Sequence, residues 1–215
     1  MKKNKIIKQV LRISLIIVLL VAGYFTYRYI SGPVLFEKEK KIRYSATIEK
    51  LEDIRKAQEA YKDVHGKYTN KWETLIDFVM TDSFQIINSL GELTDSMLAL
   101  GWNEDTAIVK GIIIRDTIHI SVLDSLFEKS YPVDALKYIP VKDTLVEFLL
   151  AEKIISKPEG IMSSFEVRAH NNIILKGMNP KLINDFNNSI RANQQYPGLK
   201  VGSLEQPNNN TGNWE

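Results

Sequence analysis

The chain has 215 residues, no cysteine, and 28 Lys/Arg against 26 Asp/Glu, a formal net charge of +2. Without thiols there are no disulfides, thiolate metal sites or cysteine nucleophiles, and processing at a lipobox cysteine is excluded. Six of the basic residues lie in the first 35 positions, which hold no acid, so the rest carries 22 basic against 26 acidic residues, a net of −4. A mildly acidic body lacks the positive footprint that nucleic-acid binding needs.

The first element is the apolar run Ile13–Tyr27, 15 residues long. That is short of the ~20 that usually cross a bilayer. It lengthens if Ile6, Ile7, Val10 and Leu11 join it while Lys8 and Arg12 reach back to the headgroups. Tyr24, Phe25, Tyr27 and Tyr29 gather at the far end, where amphipathic rings favour the interface. Lys2, Lys3, Lys5, Lys8 and Arg12 set the N-terminus in the cytoplasm, although Arg28, Lys38, Lys40, Lys41 and Arg43 follow on the other side. The expectation is an uncleaved single-pass anchor in the inner (cytoplasmic) membrane, with the bilayer as first partner and the domain in the periplasm. A cleaved signal peptide, cut after small-residue positions at Val21 and Gly23, is the alternative.

Gly32-Pro33 reads as a helix break at the membrane exit. A second helix is expected from about Phe36 to His65, closed by Gly66. Ile42, Ala46, Ile54, Ala57, Tyr61 and Val64 share one sector of it, into which Lys50 and Asp53 intrude. The division that follows is residues 1–35 as cytoplasmic N-terminus and anchor, 36–50 as a charged stalk, 51–204 as an extracytoplasmic domain and 205–215 as a polar tail. A short helix over Lys71–Met80 follows, with Asn70 and Glu73 spaced as a capping box and Trp72, Leu75, Ile76 and Val79 for the core.

Ser83–Leu90 reads as strand or loop, and Asn103–Lys110 as one or two helical turns ended by Gly111. Ile112–Val122 has the strongest strand pattern. Ile112, Ile114, Ile118, Ile120 and Val122 share one face, and Arg115, Thr117, His119 and Ser121 the other. Asp116 interrupts the apolar face, which leaves a bend or hairpin near Arg115-Asp116 open. Further strands are expected at Leu145–Glu152, Phe165–His170 and Ile173–Lys176, the last two joined by a tight Asn171-Asn172 turn. Asn179-Pro180 opens a helix to about Asn193. Leu199–Leu204 closes a largely antiparallel sheet, so the fold class is α+β with one late helix before the last strand.

No catalytic constellation emerges, and neither a cofactor nor a metal is expected. His65 reads as helix termination, and His119 and His170 as polar-face strand residues outside any metal spacing. Carboxylate pairs such as Glu104-Asp105 or Asp134 with Asp143 come without a base or an orienting partner. GxSxG, SxxK, GxGxxG and Walker patterns are absent. Trp72 reads as core and Trp102 as core or a partner anchor. Trp214, in the polar Glu205–Glu215 tail, either folds back or offers an aromatic anchor to another protein.

The segment Leu51–Trp72 (Leu-Glu-Asp-Ile-Arg-Lys-Ala-Gln-Glu-Ala-Tyr-Lys-Asp-Val-His-Gly-Lys-Tyr-Thr-Asn-Lys-Trp) is similar to type II secretion pseudopilins and type IV pilins, over about a third of the chain. There, a membrane helix leads into a docked helix with an Ala-rich, Tyr-ended run, a Gly-Lys-Tyr turn and a sheet. Arg12-Ile13-Ser14-Leu15-Ile16 departs from the pilin leader in lacking its Gly and Glu, so polymerisation by the pilin route is not implied. Taken with Ile114-Arg115-Asp116-Thr117, Tyr196–Ser203 and Asn208–Glu215, the segment also resembles an uncharacterised family of single-pass membrane proteins of Bacteroidetes-type bacteria, over nearly the whole chain. That resemblance implies no activity and no functional residue.

The leading expectation is a non-enzymatic, membrane-anchored envelope protein with a scaffolding or assembly role and other envelope proteins as partners, its oligomeric state open. The alternative is a periplasmic binding module for a cell-wall or secreted ligand, using a polar sheet face with Arg115, Thr117, His119, Arg168 and His170. A hydrolase of unrecognised type is third.

Overall fold

The computed structural model describes every residue except Met1, Asp143, Pro158, Glu159, Gln206 and Pro207, and leaves the side chains of residues 2–10, 28–30 and 155–161 outside the description. The Asp134–Asp143 pair and the side-chain placements expected for Lys8 and Tyr29 lie outside the described residues. The chain is α+β, with a long N-terminal apolar helix and antiparallel sheets.

Helix α1 runs without interruption over Lys2–His65 and contains Pro33. The break expected at Gly32-Pro33 is absent. Proline removes one helical hydrogen bond and costs ~3 kcal/mol in a helix interior. Stopping there would require a second nucleation, fixing several residues before the first bond forms. Just past the proline, Lys40 pairs with Glu37 at 2.7 Å and Arg43 with Glu39 at 2.9 Å, each one helical turn apart. Such pairs support the helix on its exposed side. At the other end Gly66 takes φ +73° and its N–H donates to the Lys62 carbonyl at 2.7 Å, the left-handed stop its position predicts.

Leu51, Ile54, Ala57, Ala60 and Tyr61 of α1 are buried, whereas Ile42 and Val64 of the expected sector are exposed. Residues 36–50, expected as a charged stalk, carry a second contact face. Phe36 is 7% exposed, Arg43 Nη1 donates to the carbonyl of Lys176 at 2.8 Å, and the Tyr44 hydroxyl donates to Asn171 Oδ1. Reading the segment by its charges hides these three residues, which lie between the lysines at helical spacing.

A buried carboxamide sets the turn after α1. Gln58 is fully buried, its Nε2 donating to the Thr69 carbonyl at 2.8 Å and its Oε1 accepting from the Thr69 N–H at 3.2 Å. Helix α2, Trp72–Thr81, follows with Trp72, Leu75, Phe78 and Val79 buried. The expected capping box is not formed: Lys71 is the N-cap residue and makes no side-chain cap bond. Thr69 Oγ1 instead accepts from the Lys71 N–H at 3.2 Å, drawing the start one residue on.

Two separate sheets replace the single sheet expected. Strands β1 (Ser83–Leu90) and β2 (Ile114–Ser121) form an antiparallel ribbon, with α3 (Asp95–Ala99) and α4 (Glu104–Val109) between them. β2 runs straight through Asp116, which pairs with Asn88, so the bend considered at Arg115-Asp116 does not occur. A short helix α5 (Val122–Leu126) and a 3-10 turn at Val133–Ala135 lead to the second sheet. It has the order β3 (Leu149–Lys157), β4 (Gly160–His170), β5 (Gly198–Gly202), all antiparallel.

The Asn171-Asn172 hairpin is also absent, since α6 (Asn171–Ile174) starts there. His170 Nδ1 accepts from the Asn172 N–H at 3.1 Å, and the buried Asn171 amide donates to Asn187 Oδ1 at 2.8 Å. A strand would carry Asn171 away from these partners and bare Ile174 and Leu175, which are buried. At its other end β4 pairs with β3 as far as Gly160 opposite Lys157. Helix α7 (Pro180–Ala192) begins as predicted, Asn179 Oδ1 accepting from the Lys181 N–H at 3.0 Å with Pro180 at the first position.

Gln58→Leu keeps the volume and deletes both bonds to Thr69, leaving a buried N–H and C=O unpaired. The expected loss is ~2–3 kcal/mol, read from urea unfolding of the detergent-solubilised chain. Gln58→Glu, which keeps only the accepting role, is expected to lose comparably.

Candidate functional site

The ribbon buries little of its own surface. Its register sets Phe84 opposite Ile120, Ile86 opposite Ile118 and Leu90 opposite Ile114, so these six side chains share one face. Ile86 is 48%, Leu90 62% and Ile114 59% exposed, in side chains that normally fill cores. Leu98, Leu100 and Val109 beyond the strands are exposed as well. Among the described residues no third strand pairs with either edge. A two-stranded ribbon alone is marginally stable in water, and contiguous exposed apolar surface marks an interaction site.

The base of the ribbon joins the end of α1 remote from the apolar run. The Val122 N–H donates to the Asp82 carbonyl at 3.0 Å, and the Asp82 carboxylate lies 3.9 Å from His65 Nε2. At 1.5 Å per residue, the stretch of α1 from Tyr27 to His65 measures about 55 Å.

The six residues singled out from the sequence do not form one site. Arg115 pairs with Glu104 at 2.5 Å, His119 Nδ1 lies 3.4 Å from Ser83 Oγ, and the Lys110 ammonium sits 4.9 Å from the Trp102 ring centre, all within the ribbon and its insert. Arg168 and His170 are on β4. There Arg168 lies 3.5 Å from Glu166 and 5.9 Å from the Tyr196 ring centre, while His170 caps α6. The polar face expected to unite Arg115, Thr117, His119, Arg168 and His170 is therefore divided, because β2 pairs with β1 and β4 pairs with β3 and β5. Parity along a strand identifies a face but not the neighbouring strand.

Trp214 packs against the core edge, and its chain neighbours hold it there. The Asn213 N–H donates to the Lys200 carbonyl and its Oδ1 accepts from the Lys200 N–H, each at 3.0 Å, Gly212 bridges to Val201, and the Glu215 carboxylate meets Arg55 at 2.6 Å. Asn209 and Asn210 take φ of +52° and +58° in a turn closed by the Thr211 N–H on the Asn208 carbonyl. The Asn-rich stretch of the polar tail is thus a tight turn, a conformation asparagine tolerates best after glycine.

Sequence reading also missed a polar network between α1 and the loop before the 3-10 turn. Lys50 Nζ donates to the Tyr131 hydroxyl at 2.9 Å, which donates to Asp53 Oδ2 at 2.7 Å. Burial and the Asp53 bond push the Tyr131 phenol up, and burial pulls Lys50 down. Burial likewise raises Tyr44 to about 12. Phenols moved upward stay protonated, which suits fixed donors rather than bases. The intrusion of Lys50 and Asp53 into the apolar sector was the available signal for this network.

An open groove of about 730 Å³ lies between α2 and the 3-10 turn, lined by Glu73, Asp77, Met80, Asp134, Lys137 and Tyr138. Lys137 is paired with Glu147 at 2.9 Å. Among the described residues no three His, Asp or Glu side chains converge to hold a metal. Comparison with protein-family models, curated proteins and solved structures gives no match.

His170 supplies a pH handle on α6. Burial and the neighbouring Arg191 hold its imidazole below the usual 6.5. The folded protein then binds fewer protons than the unfolded chain, and the neutral ring accepts the Asn172 N–H. Stability from this cap is complete above the unfolded value and is lost as pH falls from 6.5 through the lower folded value. His170→Asn keeps an acceptor without the titration. The urea-midpoint difference between wild type and variant should therefore shift against wild type between about pH 7.5 and 5.5.

Proposed function

We propose that this is a non-enzymatic, membrane-anchored envelope protein with a scaffolding or assembly role, and that the β1–β2 ribbon is the surface its partners engage. The observation that carries this reading is the row of Phe84, Ile86, Leu90, Ile114, Ile118 and Ile120 on one face of a two-stranded sheet, largely exposed. Leaving such side chains in water forgoes ~25 cal/mol for each Å² that a partner would cover.

The N-terminal helix supports the anchor. Among the described residues one helix is long and apolar enough to cross a membrane, and its apolar side chains from Leu11 to Leu20 are all exposed. In this reading the apolar run sits in the inner membrane with the N-terminus cytoplasmic, following the basic residues before Arg12. The rest of α1 docks on the β3–β4–β5 sheet, carries the domain into the periplasm and holds the ribbon base about 55 Å from the lipid. The likeness to pilins extends to this arrangement at most.

The test is gentle detergent extraction of the full-length chain, native mass determination and identification of co-purifying chains, for wild type and for Ile118→Glu/Ile120→Glu. Stoichiometric envelope partners that fall away in the variant, with its circular dichroism unchanged, are the expected result. Partners retained undiminished by the variant, or none with wild type, would overturn the reading.

A further inference from the structure

The geometry points to β1 as a self-pairing strand: two copies of this chain join antiparallel through their β1 edges, with a two-fold axis at Ile87. The inference uses the ribbon of the proposed function but does not need its other partners.

The two edges of the ribbon differ in how they are guarded. Sheet edges left open are normally protected by charge, proline or a bulge, since their free N–H and C=O groups invite another strand. β2 carries Arg115, Asp116 and His119. β1, Ser-Phe-Gln-Ile-Ile-Asn-Ser-Leu, contains no charged residue, no proline and no glycine in eight positions. It is exposed from Gln85 to Leu90, and its pairing with β2 is regular throughout. An uncharged strand meets its own copy without charge repulsion in every register, whereas β2 opposes like charges whenever the axis falls at Arg115 or Asp116.

Ile87 is 63% exposed and lies opposite Thr117, on the polar face of the ribbon and away from the other β1 apolar residues. A two-fold axis at this residue sets Ile87 against Ile87. The same register puts Phe84 opposite Leu90, Ile86 opposite Asn88 and Gln85 opposite Ser89. Both apolar faces then lie on one side of a sheet ordered β2–β1–β1–β2, because opposed residues keep the same parity. The neighbouring registers that preserve parity are worse. Centring on Ile86 sets Asp82 against Leu90, and centring on Asn88 sets Glu92 against Phe84. Each leaves a carboxylate beside an apolar side chain.

Four strands with a continuous apolar face also answer the marginal stability of a lone ribbon. The joined face doubles the apolar strip that a further envelope protein would meet.

The absence of native cysteine makes the test direct. Single cysteines are placed in the full-length chain, in its membrane, and oxidised. Opposed Cβ atoms in adjacent antiparallel strands lie about 4.5–5.5 Å apart, close enough for a disulfide after small adjustment. Ile87→Cys should form a covalent dimer. Thr117→Cys, about three strand spacings or ~14 Å from its copy, should yield at least about tenfold less, since that gap cannot be bridged. An equal mixture of Gln85→Cys and Ser89→Cys chains should cross-link to each other, while Gln85→Cys alone should not. That mixture reads the same register should Ile87→Cys fail to fold. Ile87→Lys, which opposes two ammonium groups, should halve the native mass of the two-chain unit. Equal cross-linking at Ile87 and Thr117, ladders above the dimer, or monomer throughout would overturn the inference. Dimer without other envelope chains would sustain this pairing and refute the proposed function, so the two fail separately.

Discussion

The fold depends on how the chain reverses after α1, and the Gln58 carboxamide holds that reversal. Both polar atoms of a side chain with no exposure are spent on the backbone of Thr69. A carboxamide can do this because it presents a donor and an acceptor at fixed spacing, matching one peptide unit. With Thr69 held, Trp72 follows at the start of α2, and its indole N–H reaches the Phe148 carbonyl at 3.3 Å. Leu75, Phe78 and Val79 of α2 then join the core cluster that includes Leu51, Ile54, Phe165 and Val201. The amide makes a local loop into a link between the first helix and the last sheet.

A second set of amides plays the same part at the other end of the core. Asn171 accepts from Tyr44 and donates to Asn187, and the Asn187 amide donates in turn to Asn172 at 2.8 Å. Asn171 is fully buried and Asn187 nearly so. Buried polar groups of this kind favour one arrangement over its neighbours, because any shift leaves a desolvated donor or acceptor behind. Between the two clusters the packing is apolar, and tolerant of small displacements. The ribbon shares neither cluster. It touches the core through Phe84 at its base, and the rest of its apolar residues look outward. A partner could thus change at the ribbon without disturbing the core.

Local sequence signals were accurate at several points where one turn of chain decides the outcome. Gly66 stops α1, Asn103 caps α4 through the Thr106 N–H, Asn179-Pro180 opens α7, and Gly111 ends α4 with φ +70°. Each depends on groups within four residues of one another. The alternation over Ile112–Val122 likewise marked a strand, which runs over Ile114–Ser121. The capping box at Asn70 and Glu73 failed locally, to Thr69 Oγ1 on the Lys71 N–H, and other readings that failed need distant partners. The Asn171-Asn172 pair reads as a hairpin turn in isolation, and the His170 cap together with Tyr44 and Asn187, brought by α1 and α7, holds it helical. The apolar face of β2 reads as a core face, yet among the described residues no layer covers it.

What the sequence determined by itself is the apolar N-terminal run, the basic bias before it, the acidic balance after it, and the ends of α4 and α7 with the stop of α1 at Gly66. These follow from composition and from bonds within a turn. Tertiary structure alone decided that α1 continues through Pro33, that the strands divide into two sheets, and that the polar tail closes on β5. It also decided that Arg115 and His119 stand apart from Arg168 and His170. The physical reason is common to all of these. Strand partners and buried amides are chosen by contacts between segments far apart in the chain, and periodicity carries no information about which segment arrives.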